Sequence, residues 1–267
     1  MCDKIFIMKV LERCWIVMGL VAAPWLALVA GAEETSRPDI VDRAIRFHGG
    51  DLYESTATSL ELCSKSGCFH VRASLAATDG GVEYDFDVRG ATREGERRVR
   101  STHASVELWL DGAAQTIPAG DAQRYRDWAM ARVYFCFLPY RLADPGVHHT
   151  DQGTEQWGER TLHRVKVTFA EGSSTDADDE YVYWFDPETG RVEQFAYSYA
   201  TNGGGLRFRR AFDHRRVGGI LFFDQENLGV EGPDLSVDQI DSEFVEQGMR
   251  SISTVELRNI RVEPTDQ

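Results

Sequence analysis

The residues with most chemical potential are few and widely spaced. Cys63 and Cys68 frame Ser-Lys-Ser-Gly between two strand-like runs, 58–62 and 69–73. A hairpin loop of four residues would bring the two thiols together across a strand pair. In an oxidising compartment that geometry allows a disulfide. The competing reading is a metal pair, which needs two further ligands at defined spacing, and none is evident. Cys136, in Val-Tyr-Phe-Cys-Phe-Leu, reads as a buried, inert thiol, since a catalytic thiolate needs a basic partner.

Other catalytic signatures are missing. On a strand, the adjacent His148 and His149 would point to opposite faces, which suits chelation of one metal poorly. No His-Glu-x-x-His helix and no Gly-x-Ser-x-Gly elbow occurs. The glycine run 203–205 lacks the lysine and helix of a phosphate loop. Asp144, Asp186 and Asp224 fall in turns or at strand ends, where turn formation explains them. The acidic patch Asp176, Asp178, Asp179 and Glu180 lacks the spacing of a calcium loop and reads as solvated. No metal and no cofactor is expected, and the balance leans away from an enzyme.

The chain that must position these residues has 267 amino acids, 42% hydrophobic and 27% charged, enough for one sizeable core. Its N-terminus reads as a secretory signal peptide over residues 1–32. Lys4, Lys9 and Arg13 precede an uncharged run, 15–29, that ends in Ala30-Gly31-Ala32. That run is short for a membrane span of about 20 residues. Cleavage would leave a single domain, 33–267, exported to the periplasm or secreted, without stable membrane insertion. The formal charge would move from −14 to −15, which repels nucleic acid and anionic surfaces. The arginines 207, 209, 210, 215 and 216 fall on a strand pattern and read as a solvated face.

Along the mature chain, helical spacing appears at 39–48 and at 121–137, with Asp121 as a candidate N-cap. In the second helix Tyr125, Trp128, Ala129, Arg132, Phe135 and Cys136 fall at spacings of three and four, with Tyr125, Trp128 and Phe135 on one side. Most of the rest alternates with period two, as in Tyr84–Val88, 161–169, 180–185, 191–199, 206–212 and 251–262. Roughly ten strands with short turns and no βαβ rhythm predict a mostly β fold built on one large curved antiparallel sheet.

Three blocks resemble an uncharacterised family of exported bacterial proteins, common among lipoproteins of the Bacteroidetes. They are Phe137–Val147; Phe185–Val192 with Phe195–Tyr199; and Gly204–Phe208 with Gly219–Asp224. The resemblance covers roughly residues 40–262, although this chain lacks the lipid-bearing cysteine of many relatives. That family is distantly similar to the LolA/LolB-type lipoprotein carriers. The resemblance implies a half-barrel, its sheet curved around an apolar hollow with a few helices across the concave face. It brings no catalytic residues.

The aromatics on alternating strand positions then have two meanings, a filled core or a ligand cavity. Helix 121–137 is correspondingly a plug or a lid. The expected function is non-catalytic binding or carriage of an apolar ligand: a lipid, an acyl chain or a lipidated protein. Its expected lining is Tyr125, Trp128, Phe135, Tyr183, Tyr197 and Phe208. Two alternatives stay open, a small-molecule hydrolase with an acid/base site in the hollow and a structural or assembly protein with a filled core. Three or more inward ionisable groups within hydrogen-bonding reach of one another would weigh against the carrier.

Overall fold

The computed structural model describes residues 37–78, 81–170, 179–199, 204–232 and 235–265. The signal-like segment lies outside the described residues, as do Asp176 and Asp178 of the acidic patch and Gly203.

Two helices come first, α1 (Asp39–His48) and α2 (Leu52–Ser55). Six strands follow: β1 (Thr56–Ser64), β2 (Gly67–Thr78), β3 (Gly81–Thr92), β4 (Gly95–Ser101), β5 (Val106–Leu110) and β6 (Ala113–Gln115). Helix α3 (Ala122–Val133) runs into 3₁₀ turns at Tyr134–Phe137 and Tyr140–Ala143. Then come β7 (Val147–Trp157), β8 (Arg160–Phe169), β9 (Tyr181–Phe185), β10 (Val192–Tyr199), β11 (Gly205–Val217) and β12 (Ile220–Glu231). A 3₁₀ turn at Val237–Gln239, α4 (Ser242–Gly248) and β13 (Arg250–Pro264) close the chain.

All thirteen strands join one antiparallel sheet in the order β6-β5-β4-β3-β2-β1-β13-β12-β11-β10-β9-β8-β7. The last strand thus sits at the centre, stitching two meanders together. Sequence pattern explains each half. In β1–β5 the alternation is strict: Leu60, Val71, Val88, Val99 and Leu108 form one buried row across five strands. One residue along, Ser59, Arg72, Asp87, Arg100 and Glu107 form a polar row on the opposite face. That is the signature of a sheet with one face on a core and one in water. In β9 the apolar run is continuous, and in β9, the first part of β10 and most of β12 both faces are buried, with Glu193, Gln194, Asp224, Gln225 and Asn227 as buried polar residues among them.

The half-barrel expectation is therefore corrected. The sheet is open, ending in two separate edge strands, β6 and β7, and it neither closes nor curls strongly on itself. The physical reason lies in the doubly buried strands. On one face Tyr183, Phe185 and Phe195 pack under α1 and the segment around Leu138 and Leu142. On the other face Trp184, Ala196, Phe208 and Leu228 pack under Val237, Ile240, Val245 and Met249. A sheet covered on both sides is the middle layer of a sandwich, not the wall of a hollow.

Local chemistry fixes the joints. Asp111 and Gly112 both take positive φ, 47° and 79°, as a two-residue hairpin turn matching strand twist requires. The cysteine hairpin is tighter than the four-residue loop expected from sequence, since Ser64 already pairs with Gly67. Asp121 stands at the N-cap of α3, but its carboxylate takes Arg124 at 2.9 Å instead of a backbone N–H.

Candidate functional site

Residues 122–143 lie over the apolar face of the sheet and form a cover. Helix α3 contributes only two fully buried side chains, Ala129 and Val133, both small. The larger ones are half-buried and meet the sheet through rings and guanidinium groups. Trp128 stands edge-on to Phe69, 5.9 Å between centroids. The Arg132 guanidinium sits 4.0 Å from the Trp128 ring and 4.4 Å from Phe69. Arg97 of β4 lies 5.0 Å from Trp128 and 5.8 Å from Tyr125. Trp128 and Arg132 are four apart on one helix, so the face that carries the ring also carries the charge. Burial, with Arg97 nearby, lowers the Arg132 pKa to about 10.

Further along, Phe135 stacks on Phe195 at 5.5 Å and on Tyr197 at 5.8 Å. Tyr183 continues the stack at 5.5 Å from Phe195, and the Arg209 guanidinium lies 5.1 Å from Phe135. Three guanidinium nitrogens of this layer, Nε of Arg97, Arg132 and Arg209, are buried without a hydrogen-bond partner among the described residues, while the Tyr134 and Tyr183 hydroxyls face one another.

At the middle of the cover is a knot of ionisable groups. Arg141 donates to Asp144 Oδ2 at 2.5 Å, and the Tyr84 hydroxyl donates to Asp144 Oδ1. Arg141 also lies over the rings of Tyr84 and Tyr134, at 3.9 and 5.0 Å. Its side chain is 13% exposed and that of Asp144 12%. Burial pushes the Asp144 carboxyl above its ordinary range, and the Arg141 charge only partly offsets this. Burial also raises the Tyr84 and Tyr134 phenols, so both stay protonated donors at neutral pH.

The structure brings five of the six expected ligand-lining residues to one face. Tyr125 and Trp128 pack on the β1–β5 core, and Phe135, Tyr183 and Tyr197 on the β8–β12 core. Phe208 lies on the other face, stacked on Trp157 at 5.6 Å. The register decides this: Phe208 pairs with Ala196, not with Phe195 or Tyr197. Cys63 and Cys68 are disulfide-bonded on the polar face, next to Glu61, so their sulfurs are not free thiolates. Cys136 is buried, and burial raises its thiol to about 12. His149 is buried with Nε2 unpaired among the described residues, and burial lowers it to about 4. The arginines expected on a solvated strand face do more than that. Arg215 bonds Asp224 at 2.8 Å, and Arg209 is part of the aromatic layer. Sequence reasoning missed Arg97, Arg132, Arg141 and Tyr84; the Trp-x-x-x-Arg spacing in α3 was the available signal.

Residues 89–257 match a protein family described as a family of unknown function, DUF6503. The chain belongs to this family. No curated protein matches it. Among solved structures it is similar to a LolA superfamily protein from Nitrosomonas europaea, with TM-score 0.49 and 10% identity over 85% of this chain and 93% of that one. A domain described as an outer membrane lipoprotein-sorting protein, from Vibrio parahaemolyticus, gives 0.43 and 8% over 85% and 92%. The lipoprotein LppX of Mycobacterium tuberculosis gives 0.31 and 14% over 64% and 92%. Likenesses of this size say nothing of what this member of DUF6503 binds.

Proposed function

We propose that this member of DUF6503 is an exported, non-catalytic binding protein. It takes an amphipathic ligand, such as an acyl chain with a polar head, between the cover and the sheet. Export rests on the signal-like residues 1–32 and on the disulfide, which belongs in an oxidising compartment. The domain is then 33–267. Among the described residues no helix is long and apolar enough to cross a membrane.

The observation that carries the reading is the set of unpartnered polar atoms under the cover. Buried donors are almost always satisfied in folded proteins, and leaving one unpaired costs about 1–3 kcal/mol. Here Arg97, Arg132 and Arg209 each bury an Nε with no acceptor among the described residues, beside the rings of Trp128, Tyr125 and Phe135. A ligand with an acyl chain for the rings and oxygen acceptors for the guanidinium groups would satisfy both. Of its own side chains helix α3 fully buries only two small ones, Ala129 and Val133, and rests on the sheet mainly through the half-buried Tyr125, Trp128 and Met130.

The knot of Tyr84, Arg141 and Asp144 meets the criterion that weighs against a carrier, and it favours the hydrolase reading. Its chemistry argues otherwise. Both Asp144 oxygens are already engaged, one by Tyr84 and one by Arg141. A carboxylate held on both sides is a strut for the cover more than a free base.

Native mass spectrometry of the exported chain, purified from a bacterial periplasm without detergent, tests the proposal. A reproducible extra mass released by organic solvent and matching a lipid or fatty acid is the expected result. A clean apo mass, together with unchanged tryptophan fluorescence on adding fatty acid, would overturn it.

A further inference from the structure

The bare face of the β1–β5 half carries a groove of about 650 Å³ on the side away from the cover. Four arginines line it, Arg72, Arg89, Arg98 and Arg261, against two carboxylates, Glu61 and Asp87. Both carboxylates are committed. Asp87 receives a forked bond from Arg98, with Nε 2.9 Å from Oδ1. Glu61 accepts from the Asn259 amide at 2.9 Å and faces His70 at 3.6 Å. That leaves Arg72, Arg89 and Arg261 exposed, without an ion pair among the described residues.

Register places the three together. Arg261 pairs with Ser59, and Ser59 pairs with Arg72, so these arginines are two strand spacings apart, about 10 Å. Arg89 pairs with His70, which makes it the diagonal neighbour of Arg72, roughly 7–8 Å away. Three like charges at such spacing repel unless an anion sits among them, and a guanidinium fork matches two oxygens of a phosphoryl or carboxylate group. The chain as a whole is strongly acidic, with a formal charge of −14. An extended polyanion or an anionic bilayer would feel that net repulsion, whereas a small ion inside the groove feels mainly the charges within a Debye length of about 8 Å.

We propose that this groove binds a small oxyanion-bearing molecule, its phosphoryl or carboxylate oxygens held by Arg72, Arg89 and Arg261. The site is independent of the cover, on the opposite face of the sheet.

Calorimetric titration of the disulfide-intact, exported chain with pyrophosphate, and separately with citrate, tests this at about 50 mM salt, where surface charge is weakly screened. Binding of at least one is expected, weakened about ten-fold or more in the combined Arg72→Gln, Arg89→Gln, Arg261→Gln variant. Arg46→Gln, an exposed arginine of α1, should bind as the wild type does, and circular dichroism checks that each variant is folded. Which anion binds separates phosphoryl from carboxylate recognition. Absence of binding of either at about 5 mM, or equal binding by the triple variant, overturns the proposal. So does arginine-dependent binding to phosphatidylglycerol vesicles without binding of either small anion, since that would make the face a lipid-binding surface.

Discussion

Acidification should destabilise this protein well before its carboxylates titrate, and His48 is the main reason. Its ring is fully buried at the end of α1. Nε2 accepts the Val192 N–H at 3.1 Å, which leaves Nδ1 to donate to the Leu221 carbonyl at 3.3 Å. Both nitrogens are therefore used by the neutral ring, and a second proton on Nε2 would point at a donor. Burial lowers the His48 pKa from 6.5 to about 3, with His214, Arg216 and Arg191 adding in the same direction. The unfolded chain takes up the proton near pH 6.5 and the folded chain does not. Stability is thus full above that value and is lost as pH falls towards 3. Each pH unit is worth ~1.4 kcal/mol, so going from about pH 7.5 to about pH 5 should remove ~2 kcal/mol through His48 alone. His149, lowered to about 4, and His214, lowered by its own burial, act in the same sense. Asp144, whose pKa is raised, acts in the opposite one. Comparison with a His48→Gln variant isolates the His48 share. In urea unfolding with an m-value of about 3 kcal/mol/M, that share is roughly 0.7 M of midpoint. The wild type should lose that much more than His48→Gln between the two pH values. Equal losses in the two proteins would refute the reasoning.

Asp144→Ala leaves the Arg141 guanidinium buried without its counter-charge and should cost about 3–5 kcal/mol, lowering the melting temperature by roughly 10 °C. Adding Arg141→Met should recover much of this, and a single-variant loss below ~1 kcal/mol would mean that the knot is not a strut. Gly190 has φ 78°, and a Cβ there would stand 2.6 Å from the Ala44 backbone nitrogen. Gly190→Ala should therefore push α1 off the turn between β9 and β10 and cost about 2–3 kcal/mol by chemical denaturation. Replacing Cys63 and Cys68 together by serine closes no loop in the unfolded chain. Because the loop is so short, the loss should be only about 2 kcal/mol, measurable as a lower urea midpoint with unchanged slope.

Much of the fold could be read from local pattern, because local pattern is what period and capping report. Helix α1 runs over 39–48 as its apolar spacing predicts, and helix 121–137 appears as α3 followed by a 3₁₀ turn. Strand β7 is not legible in the sequence, since His148-His149-Thr150-Asp151-Gln152-Gly153 offers no alternation of apolar residues. The 3₁₀ turn at 237–239 does carry a local signal, the capping box between Ser236 and Gln239. Curvature was a different kind of error. Alternation tells which residues of one strand share a face, and it carries no information on how far a sheet bends or what lies on its far side.

The same limit explains why only part of the candidate site was legible. Phe195, Tyr197 and Phe208 all alternate within their own strands, so all three looked like one lining. Their common face depends on the phase between β10 and β11, which is a property of pairing and not of either strand. Pairing of Ala196 with Phe208 puts Phe208 beside Trp184 and Trp157, while Phe195 and Tyr197 meet Phe135 on the other side. A slip of one residue would reverse the assignment and set the Arg209 side chain where Phe208 now packs. The arginines make the same point from the charge side. Arg97 and Arg98 are neighbours in sequence, yet one lies beneath α3 against Trp128 and the other lies in the open groove against Asp87. One step along β4 separates a guanidinium packed into the aromatic layer from one in the open cationic groove, and only the sheet decides which step faces which partner.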